Sequence, residues 1–322
     1  MREITTPQGT SRIYDLRDVE TPPPGVPALV SGLLACASTY VIAGAGGIGK
    51  TWLALHLAAH VASGQPWLGH AIHSPAPVLF ADLQNGEARL LRRIWALRRS
   101  LALRPELPVY AMCDTRLIAY GDGAPESLAH LAAIIDGIGA RLVVIDSLVD
   151  TLGKAEENNN EDMALVIDSF RRVAQITGAT IVAIHHVAKN GNDWRGASAI
   201  RDQADGLITV SRVEEQRGVL RFKTTKSRDY AEVEMQIRAS FGEDEIVIER
   251  DGAVAASSKR DDLRDAILSA CDEWTGIAQL ADDLATTERE RNRVRVVVYR
   301  MIQASLLDRR SLDGRTQVRR KA

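Results

Sequence analysis

Short apolar runs alternate with amphipathic stretches along most of the chain between residues 39 and 250. The runs predict strands and the stretches predict helices, because the two structures repeat apolar positions with different periods. The predicted strands are 40–43, 78–81, 142–145, 180–184 and 206–210, and the predicted helices are 50–63, 87–103, 125–138 and 161–176. Strands that are apolar throughout and separated by helices indicate an α/β fold, with a mostly parallel sheet and helices on both faces.

The pattern changes on either side of this region. After residue 206, short segments at 219–224, 232–238 and 245–249 predict an antiparallel extension of the sheet. Residues 1–27 are polar and contain three consecutive prolines, Pro22 to Pro24, which fit neither a helix nor a central strand. We expect an extended N-terminal arm that packs on a neighbouring subunit, or else a flexible leader. The α/β domain is expected to span 28–251.

A small second domain is predicted after a linker of small residues at 252–260. Helical patterns at 260–273, 277–285 and 287–304 precede two strand-like segments, 306–310 and 316–320, which flank an Asp313-Gly314 turn. Asp-Gly between two strands is typical of a hairpin. Three helices and a hairpin predict a winged helix-turn-helix domain at 261–322.

Composition and charge narrow the class of protein. The 322 residues are 45% hydrophobic and 25% charged, as in ordinary globular proteins, and the net charge of −2 gives no sign of a nucleic-acid binder. Residues 286–322, however, contain eleven Lys and Arg against four Asp and Glu, which favours an anionic partner there.

Cellular location is predicted from the cysteines and from the apolar runs. Cys36, Cys113 and Cys271 have no metal-binding spacing, which is typical of a reduced intracellular protein. No apolar run approaches the roughly 20 residues of a membrane span, and the first twenty residues are polar. We therefore expect a soluble, cytoplasmic protein without a membrane partner.

A glycine-rich segment between a predicted strand and a predicted helix carries the strongest chemical signal. Residues 44–51 match G-x-x-x-x-G-K-[ST], the P-loop or Walker A motif, and run Gly44-Ala45-Gly46-Gly47-Ile48-Gly49-Lys50-Thr51, with Trp52 next in the helix. The glycines allow backbone N–H groups to surround phosphate oxygens. Lys50 is expected to neutralise phosphates and Thr51 to coordinate Mg²⁺, so the segment predicts an ATP site.

Two further strands end in residues that suit this site. Asp146 follows the apolar run 142–145 and is expected to hold the water shell of Mg²⁺, although an N-cap role is the alternative. His185 and His186 end the run 180–184. Adjacent strand residues point to opposite faces, so a metal-binding pair is disfavoured. We expect a γ-phosphate sensor, the alternative being one core histidine and one exposed histidine.

These motifs together resemble the RecA-like ATPases, in particular the plasmid replication helicase RepA and its relatives in mobile elements. The similar segments lie within 35–230 and are 44–51, 142–147, 157–160, 178–189 with its His-His-x-x-Lys, and Arg195-Gly196-Ala197-Ser198. The resemblance implies a ring, usually hexameric, with ATP sites between subunits and with DNA and replication or mobile-element proteins as partners. It also implies that His186 is the sensor and that Lys226 and Arg228 enter the neighbouring site, with Arg195 as a second candidate. A solvated strand end is the alternative for Lys226 and Arg228.

One position departs from the family pattern. The expected catalytic glutamate, which activates water, matches Gln84, and an amide does not accept a proton from water at neutral pH. Asp82 or Glu87 could substitute, or hydrolysis could be slow or absent. The alternative for Glu87 is a favourable electrostatic position at the start of the helix 87–103. The arginines of that helix are expected to form a solvated face, with contact to DNA or to a neighbouring subunit as the alternative.

The basic residues of the C-terminal domain predict DNA contacts. Val294, Val297, Val298 and Met301 share one helix face, and arginines lie mainly off that face and near the start of the helix. A recognition helix presents its early residues to the major groove in this way, and a wing contacts phosphates. The candidate DNA-binding residues are Arg289, Arg291, Arg293 and Arg315. A protein-interaction module is the alternative.

Two functions of different classes are therefore compatible with the sequence. The first is an ATP-hydrolysing motor, a DNA helicase or replication ATPase, which the His-His-x-x-Lys, Arg-Gly-x-Ser and Lys-x-Arg segments favour. The second is a nucleotide-switched DNA-binding or regulatory protein with little or no turnover, which Gln84 and the winged helix favour.

Overall fold

The computed structural model describes most of the chain as two compact units, Met1–Asp251 and Gly252–Ala322. The described residues are 2–6, 9–13, 25–103, 106–113, 115–157, 159–186, 197–213, 216–242, 246–251, 267–268, 270–271, 273–284, 288–303, 307–312 and 315–320, with the backbone alone at some positions. The predicted linker 252–260 and most of the predicted helix 260–273 lie outside them.

Strands and helices alternate through the centre of the first unit. Its strands are β1 Arg2–Thr6, β2 Gly9–Ile13, β3 Ala28–Val30, β4 Leu34–Ala35, β5 Thr39–Gly44, β6 Val78–Asp82, β7 Val109–Cys113, β8 Leu142–Asp146, β9 Thr180–His186, β10 Gly206–Arg212, β11 Val219–Ser227, β12 Glu234–Phe241 and β13 Ile246–Asp251. Its helices are α1 Lys50–Ser63, α2 Glu87–Ser100, α3 Ala124–Ile138, α4 Asn160–Thr177 and α5 Ala197–Gln203, and a 3-10 turn, Leu148–Thr151, follows β8.

One large sheet organises this unit. Within the described residues its nine strands have the order β13-β12-β11-β10-β5-β9-β8-β6-β7. The six strands from β10 to β7 pair in parallel, whereas β11, β12 and β13 extend the sheet in antiparallel fashion. The predicted α/β fold with a mostly parallel sheet is therefore confirmed.

Apolar cores cover both faces of the sheet. Along β8, Leu142 and Val144 belong to the core on the side of α1, while Val143 and Ile145 belong to the core that includes α3 and α4. This alternation follows from the period of two in a strand and explains why these strands are apolar at nearly every position. The polar residues that end the strands therefore emerge together at one edge of the sheet.

Some strands were not predicted from the apolar pattern. Residues 1–27, expected to form an extended arm, include the antiparallel pair β1 and β2, joined in register from Arg2–Ile13 to Thr6–Gly9. The pair β3–β4 and the edge strand β7 are also additional to the prediction. The three prolines of the arm lie outside the described residues.

The second unit combines helices with a small sheet. Its described elements are β14 Thr275–Gly276, α6 Ile277–Asp283, α7 Glu288–Gln303, β15 Leu307–Leu312 and β16 Arg315–Arg320, with the sheet order β14-β16-β15. A separate core includes Ile277, Leu280, Val294, Val298 and Val318. In the part of the chain that the structure describes, no helix combines the length and apolar character needed to cross a membrane.

Candidate nucleotide site

The P-loop links the end of β5 to the start of α1. Gly47 and Gly49 have φ angles of 70° and 105°, which only glycine adopts without strain. A Cβ atom on Gly44 would lie 2.4 Å from the backbone oxygen of Val210. The first turn of α1 has no acidic residue and no side-chain cap, so its backbone N–H groups are available to an anion.

Lys50 lies buried beneath this loop. Its Nζ donates hydrogen bonds to the backbone oxygens of Gly44 (2.8 Å) and Ala45 (2.9 Å). Burial lowers the pKa of Lys50 to about 8, and the charge of Asp146 partly opposes this shift. The ammonium group is thus held where phosphate oxygens would be surrounded by the loop.

Thr51 and Asp146 are joined directly. The Oγ1 of Thr51 donates a hydrogen bond of 2.7 Å to Oδ2 of Asp146, which is 1% exposed at the end of β8. Burial raises the pKa of Asp146, the bond from Thr51 lowers it, and the charge of Asp82 raises it further. A hydroxyl and a carboxylate in contact are oxygen ligands of the kind that Mg²⁺ binds.

The two histidines at the end of β9 occupy different environments. His185 is buried, and His186 is half-buried with Nδ1 lying 3.1 Å from Nζ of Lys50. An ammonium group only donates, so Nδ1 accepts this bond and the proton of a neutral ring lies on Nε2. Burial and then the charge of Lys50 lower the pKa of His186, which favours that neutral ring. His186 therefore has a donor to offer a phosphate oxygen.

The segment after β6 is a turn organised by Asp82. Its Oδ1 accepts hydrogen bonds from the backbone N–H groups of Gln84 (3.1 Å) and Asn85 (2.8 Å) and from the Asn85 side chain (3.1 Å). The Gln84 amide donates to Oγ of Ser147 at 3.0 Å. Glu87 is exposed in the first turn of α2, the position favoured by the helix dipole.

Lys226 and Arg228 lie at the opposite end of the sheet from the P-loop. Ser227, between them, pairs with Gly206, and Gly206 pairs with Tyr40 near the start of β5. The P-loop begins after Gly44, four residues further along β5, or roughly 13 Å away at the rise of a strand. Neither side chain can therefore reach the nucleotide site of its own chain by a small movement.

Both of these cations have partners within the chain. Nη1 of Arg228 lies 3.0 Å from Oδ1 of Asp205, and Nζ of Lys226 donates to the backbone oxygens of Arg201 and Asp202. The Arg228 side chain is nevertheless 47% exposed. Arg195, the second candidate, lies outside the described residues.

Two residues beside the P-loop were missed by the sequence analysis. Phe241, at the end of β12, stacks on Trp52 with ring centroids 5.9 Å apart and would clash with a Cβ atom on Gly49. Arg93 of α2 lies 5.8 Å from the Trp52 ring, and its charge lowers the pKa of Asp146. Arg93 therefore departs from the solvated face expected for α2, and no local pattern distinguishes it from Arg89 and Arg92, which are exposed.

The candidate DNA-binding residues are only partly described. Arg291 forms an ion pair with Asp282 at 3.8 Å, while the side chains of Arg289, Arg293 and Arg315 lie outside the described residues. On the small sheet, Arg310 and Arg319 lie 4.4 Å and 4.9 Å from the Trp274 ring. Two arginines of this sheet therefore lie against the ring of Trp274, the residue before β14.

Two solved structures are similar to the first unit. An ATPase domain of known structure matches with a TM-score of 0.52 and 14% identity, covering 72% of this chain and 95% of that chain. A KaiC-like protein, PH0186 from the hyperthermophilic archaeon Pyrococcus horikoshii OT3, matches with a TM-score of 0.46 and 18% identity, covering 70% and 96%. The first of these matches shows a shared RecA-like fold.

A family model described as an AAA domain matches residues 7–192, a range that includes the P-loop, Asp82, Asp146 and the two histidines. The match spans more than half of the chain, and the first unit has a RecA-like fold. The chain therefore belongs to the AAA domain family and carries a RecA-like P-loop ATPase domain.

Proposed function

We propose that the protein is an ATP-driven motor that assembles into a ring, a hexamer by resemblance, and acts on DNA as a helicase or replication ATPase of the RepA type. The observation that carries this proposal is the position of Lys226 and Arg228 at the far end of the sheet from their own P-loop. Cations in that position serve a nucleotide only if it is bound by another subunit.

Each subunit supplies the main binding groups of one ATP site. The P-loop N–H groups and Lys50 bind the phosphates, while Thr51 and Asp146 hold Mg²⁺. Bound Mg²⁺ neutralises charge on the phosphate oxygens. His186 donates its Nε2 proton to the terminal phosphate and so distinguishes ATP from ADP. The stacked rings of Phe241 and Trp52 lie beside Gly49 of the loop.

The neighbouring subunit completes the site with a cation. Arg228 exchanges Asp205 for the terminal phosphate of the adjacent nucleotide, where its charge stabilises the transition state. Among the described residues, the half-exposed Arg228 side chain is held by the Asp205 carboxylate and by a long hydrogen bond of 3.5 Å to the backbone oxygen of Asp202, so this exchange breaks one partly solvated ion pair and one weak hydrogen bond. Ring assembly and turnover are coupled through this residue.

We assign DNA binding to the second unit, as a winged helix. The elements α6 and α7 and the β15–β16 hairpin suit that arrangement, with Arg291 near the start of α7 and with Arg310 and Arg319 on the sheet. Exposed guanidinium groups contact phosphates and give a binding free energy that depends on salt. Replication or mobile-element proteins are the expected protein partners, in the cytoplasm.

A second function is favoured by the position of Gln84. Its amide donates to Ser147 rather than standing free beside a phosphate, and an amide does not take a proton from water. In this alternative, ATP binding acts as a switch that assembles the ring. The assembled ring then binds DNA or partner proteins, and ATP is hydrolysed slowly or not at all.

ATP turnover with and without single-stranded DNA separates the two functions. We expect hydrolysis that DNA stimulates in the wild type and that is lost in Lys50→Ala. Glu87→Gln should keep its turnover, because Glu87 is an exposed residue in the first turn of α2. Nucleotide binding without hydrolysis, with or without DNA, would refute the motor and leave the switch.

Mixing two inactive variants tests the shared site. Lys50→Ala lacks its own P-loop lysine and Arg228→Ala lacks the cation for its neighbour. In mixed rings about a quarter of the subunit interfaces would combine an intact Lys50 with an intact Arg228, so partial turnover should return. No recovery, or a mass of one chain with ATP and Mg²⁺, would contradict the ring.

A further inference from the structure

Two buried carboxylates lie side by side at the ends of neighbouring strands. Asp82 ends β6, Asp146 ends β8, and the two residues are partners in the parallel register. Phe80 and Val144, two positions earlier, both belong to the core on the side of α1. Strand alternation therefore directs Asp82 and Asp146 to the same face of the sheet, the face on which Thr51 contacts Asp146.

One oxygen of Asp82 is committed to the turn and the other is not. Oδ1 accepts the three hydrogen bonds from Gln84 and Asn85. Oδ2 is buried, since Asp82 is only 1% exposed, and it has no hydrogen-bond partner among the residues that the structure describes. A buried carboxylate oxygen without a partner in the protein is costly, so its position beside Asp146 points to a ligand there.

We propose that Asp82 is the second carboxylate that holds Mg²⁺ on the bound nucleotide, acting together with Asp146 and Thr51. This inference rests on the proposed ATP binding. Mg²⁺ is usually held by one or two carboxylates together with phosphates and waters rather than by a protein cage. In agreement, the described residues contain no group of three or more His, Cys, Asp or Glu side chains that could hold a metal.

The position of Asp82 suits a metal ligand better than a general base. It lies level with Asp146 along the strands and is buried, whereas Gln84 is two residues further out and exposed. A base that removes a proton from attacking water needs access to that water. Asp82 therefore restores negative charge to the site without restoring the glutamate that position 84 lacks.

Nearby cations allow both carboxylates to remain in the folded protein. The charges of Arg93 and Lys50 each lower the pKa of Asp146, against the effects of burial and of Asp82. Nη1 of Arg93 is itself buried and has no hydrogen-bond partner in the described part of the chain. Removing the charge of Asp82 leaves one carboxylate beside two cations, so Asp82→Asn is expected to fold. The amide oxygen of the new side chain can still accept the hydrogen bonds from Gln84 and Asn85.

The test compares the affinity of a fluorescent ATP analogue with Mg²⁺ and with EDTA. In the wild type Mg²⁺ should strengthen binding. In Asp82→Asn the factor by which Mg²⁺ strengthens binding of the analogue should be about tenfold smaller than in the wild type. Binding in EDTA should be unchanged or tighter, because a negative charge near the phosphates has been removed. The proposal would be overturned if Asp82→Asn had the wild-type melting temperature but bound the ATP analogue more weakly both with Mg²⁺ and with EDTA.

A matched variant separates charge from the structure of the turn. Asn85→Ala removes one hydrogen bond to Oδ1 of Asp82 and leaves both carboxylates, so it should keep the full gain from Mg²⁺. Electron paramagnetic resonance of Mn²⁺ in the presence of ATP should show weaker Mn²⁺ binding in Asp82→Asn but not in Asn85→Ala. An undiminished gain from Mg²⁺ in Asp82→Asn, or an equal loss in Asn85→Ala, would overturn the assignment. If the wild type does not bind the ATP analogue under either condition, the proposed ATP-binding function itself is refuted.

Discussion

The charge of Lys50 should make ATP binding weaken as the pH rises above 8. Burial lowers the pKa of Lys50 from 10.5 to about 8, and a bound phosphate chain favours the ammonium form. Above pH 8 the free protein must therefore take up a proton in order to bind ATP. With this pKa, the dissociation constant should increase by about tenfold between pH 7 and pH 9. His186, whose pKa is lowered from 6.5, has already lost its proton in this range.

The same shift has the opposite effect on folding. Between pH 8 and 10.5 the unfolded chain binds more protons at Lys50 than the folded chain, so the free energy of unfolding of the nucleotide-free protein should rise with pH there. Lowering the pKa from 10.5 to about 8 corresponds to about 3 kcal/mol that is lost below pH 8. ATP affinity and nucleotide-free stability should thus change in opposite directions.

Fluorescence titration with an ATP analogue and urea unfolding at the same pH values measure both effects. Lys50→Arg is the control, because a guanidinium group keeps its charge throughout this range. Its affinity, even if lower, should not depend on pH between 7 and 9. A constant wild-type affinity over this range, or an equal slope in Lys50→Arg, would refute the reasoning.

Three further predictions concern single contacts. Gly49→Ala should destabilise the protein by about 2–3 kcal/mol in urea unfolding, because φ is 105° and the new Cβ atom would lie 2.4 Å from the Phe241 ring. In the double variant Gly49→Ala/Phe241→Ala, only the part of the lost stability that comes from the clash with the ring should be recovered. Full recovery would exclude backbone strain as a cause. Asp205→Ala should cost about 2–3 kcal/mol of stability in urea unfolding, since the backbone N–H of Thr39 in β5 and the side chain of Arg228 both lose their acceptor. If Asp205→Ala lost no more stability than Asp205→Asn, this explanation would be wrong. Gln84→Glu should raise the kcat of ATP hydrolysis by about 10²-fold, and an unchanged kcat would place the attacking water elsewhere.

The central strands and the P-loop were predictable because their signals are local. An apolar strand buried on both faces leaves a continuous run, and the glycines, Lys50 and Thr51 follow one such run directly. The approach of Asp146 and His186 to the P-loop was predictable for a related reason. The carboxyl ends of parallel strands meet at one edge, so residues that end separate strands approach each other whatever the loops do.

Other features depend on long-range packing or on strands without a buried face. The strand β1 is polar at four of its five positions, so its pairing with β2 leaves no apolar period to detect. The edge strand β7 is partly exposed and lacks the regular alternation of a half-buried strand. Arg93 and Phe241 approach the P-loop from α2 and β12, elements far apart along the chain, and β13 packs against α2 where the Ile246 N–H donates to Oγ of Ser100. No spacing of residues in the sequence predicts this packing.

The contact of Phe241 with the P-loop also ties the loop to the antiparallel end of the sheet. Phe241 rests on Gly49 and is the last residue of β12, and its partner in the ladder is Ile246, the first residue of β13. The strand β13 ends at Asp251, where the first unit ends. A single side chain, Phe241, therefore contacts the backbone of Gly49 and also ends the pairing of the last two strands of this sheet, so a substitution there is expected to disturb the P-loop and this edge of the sheet together.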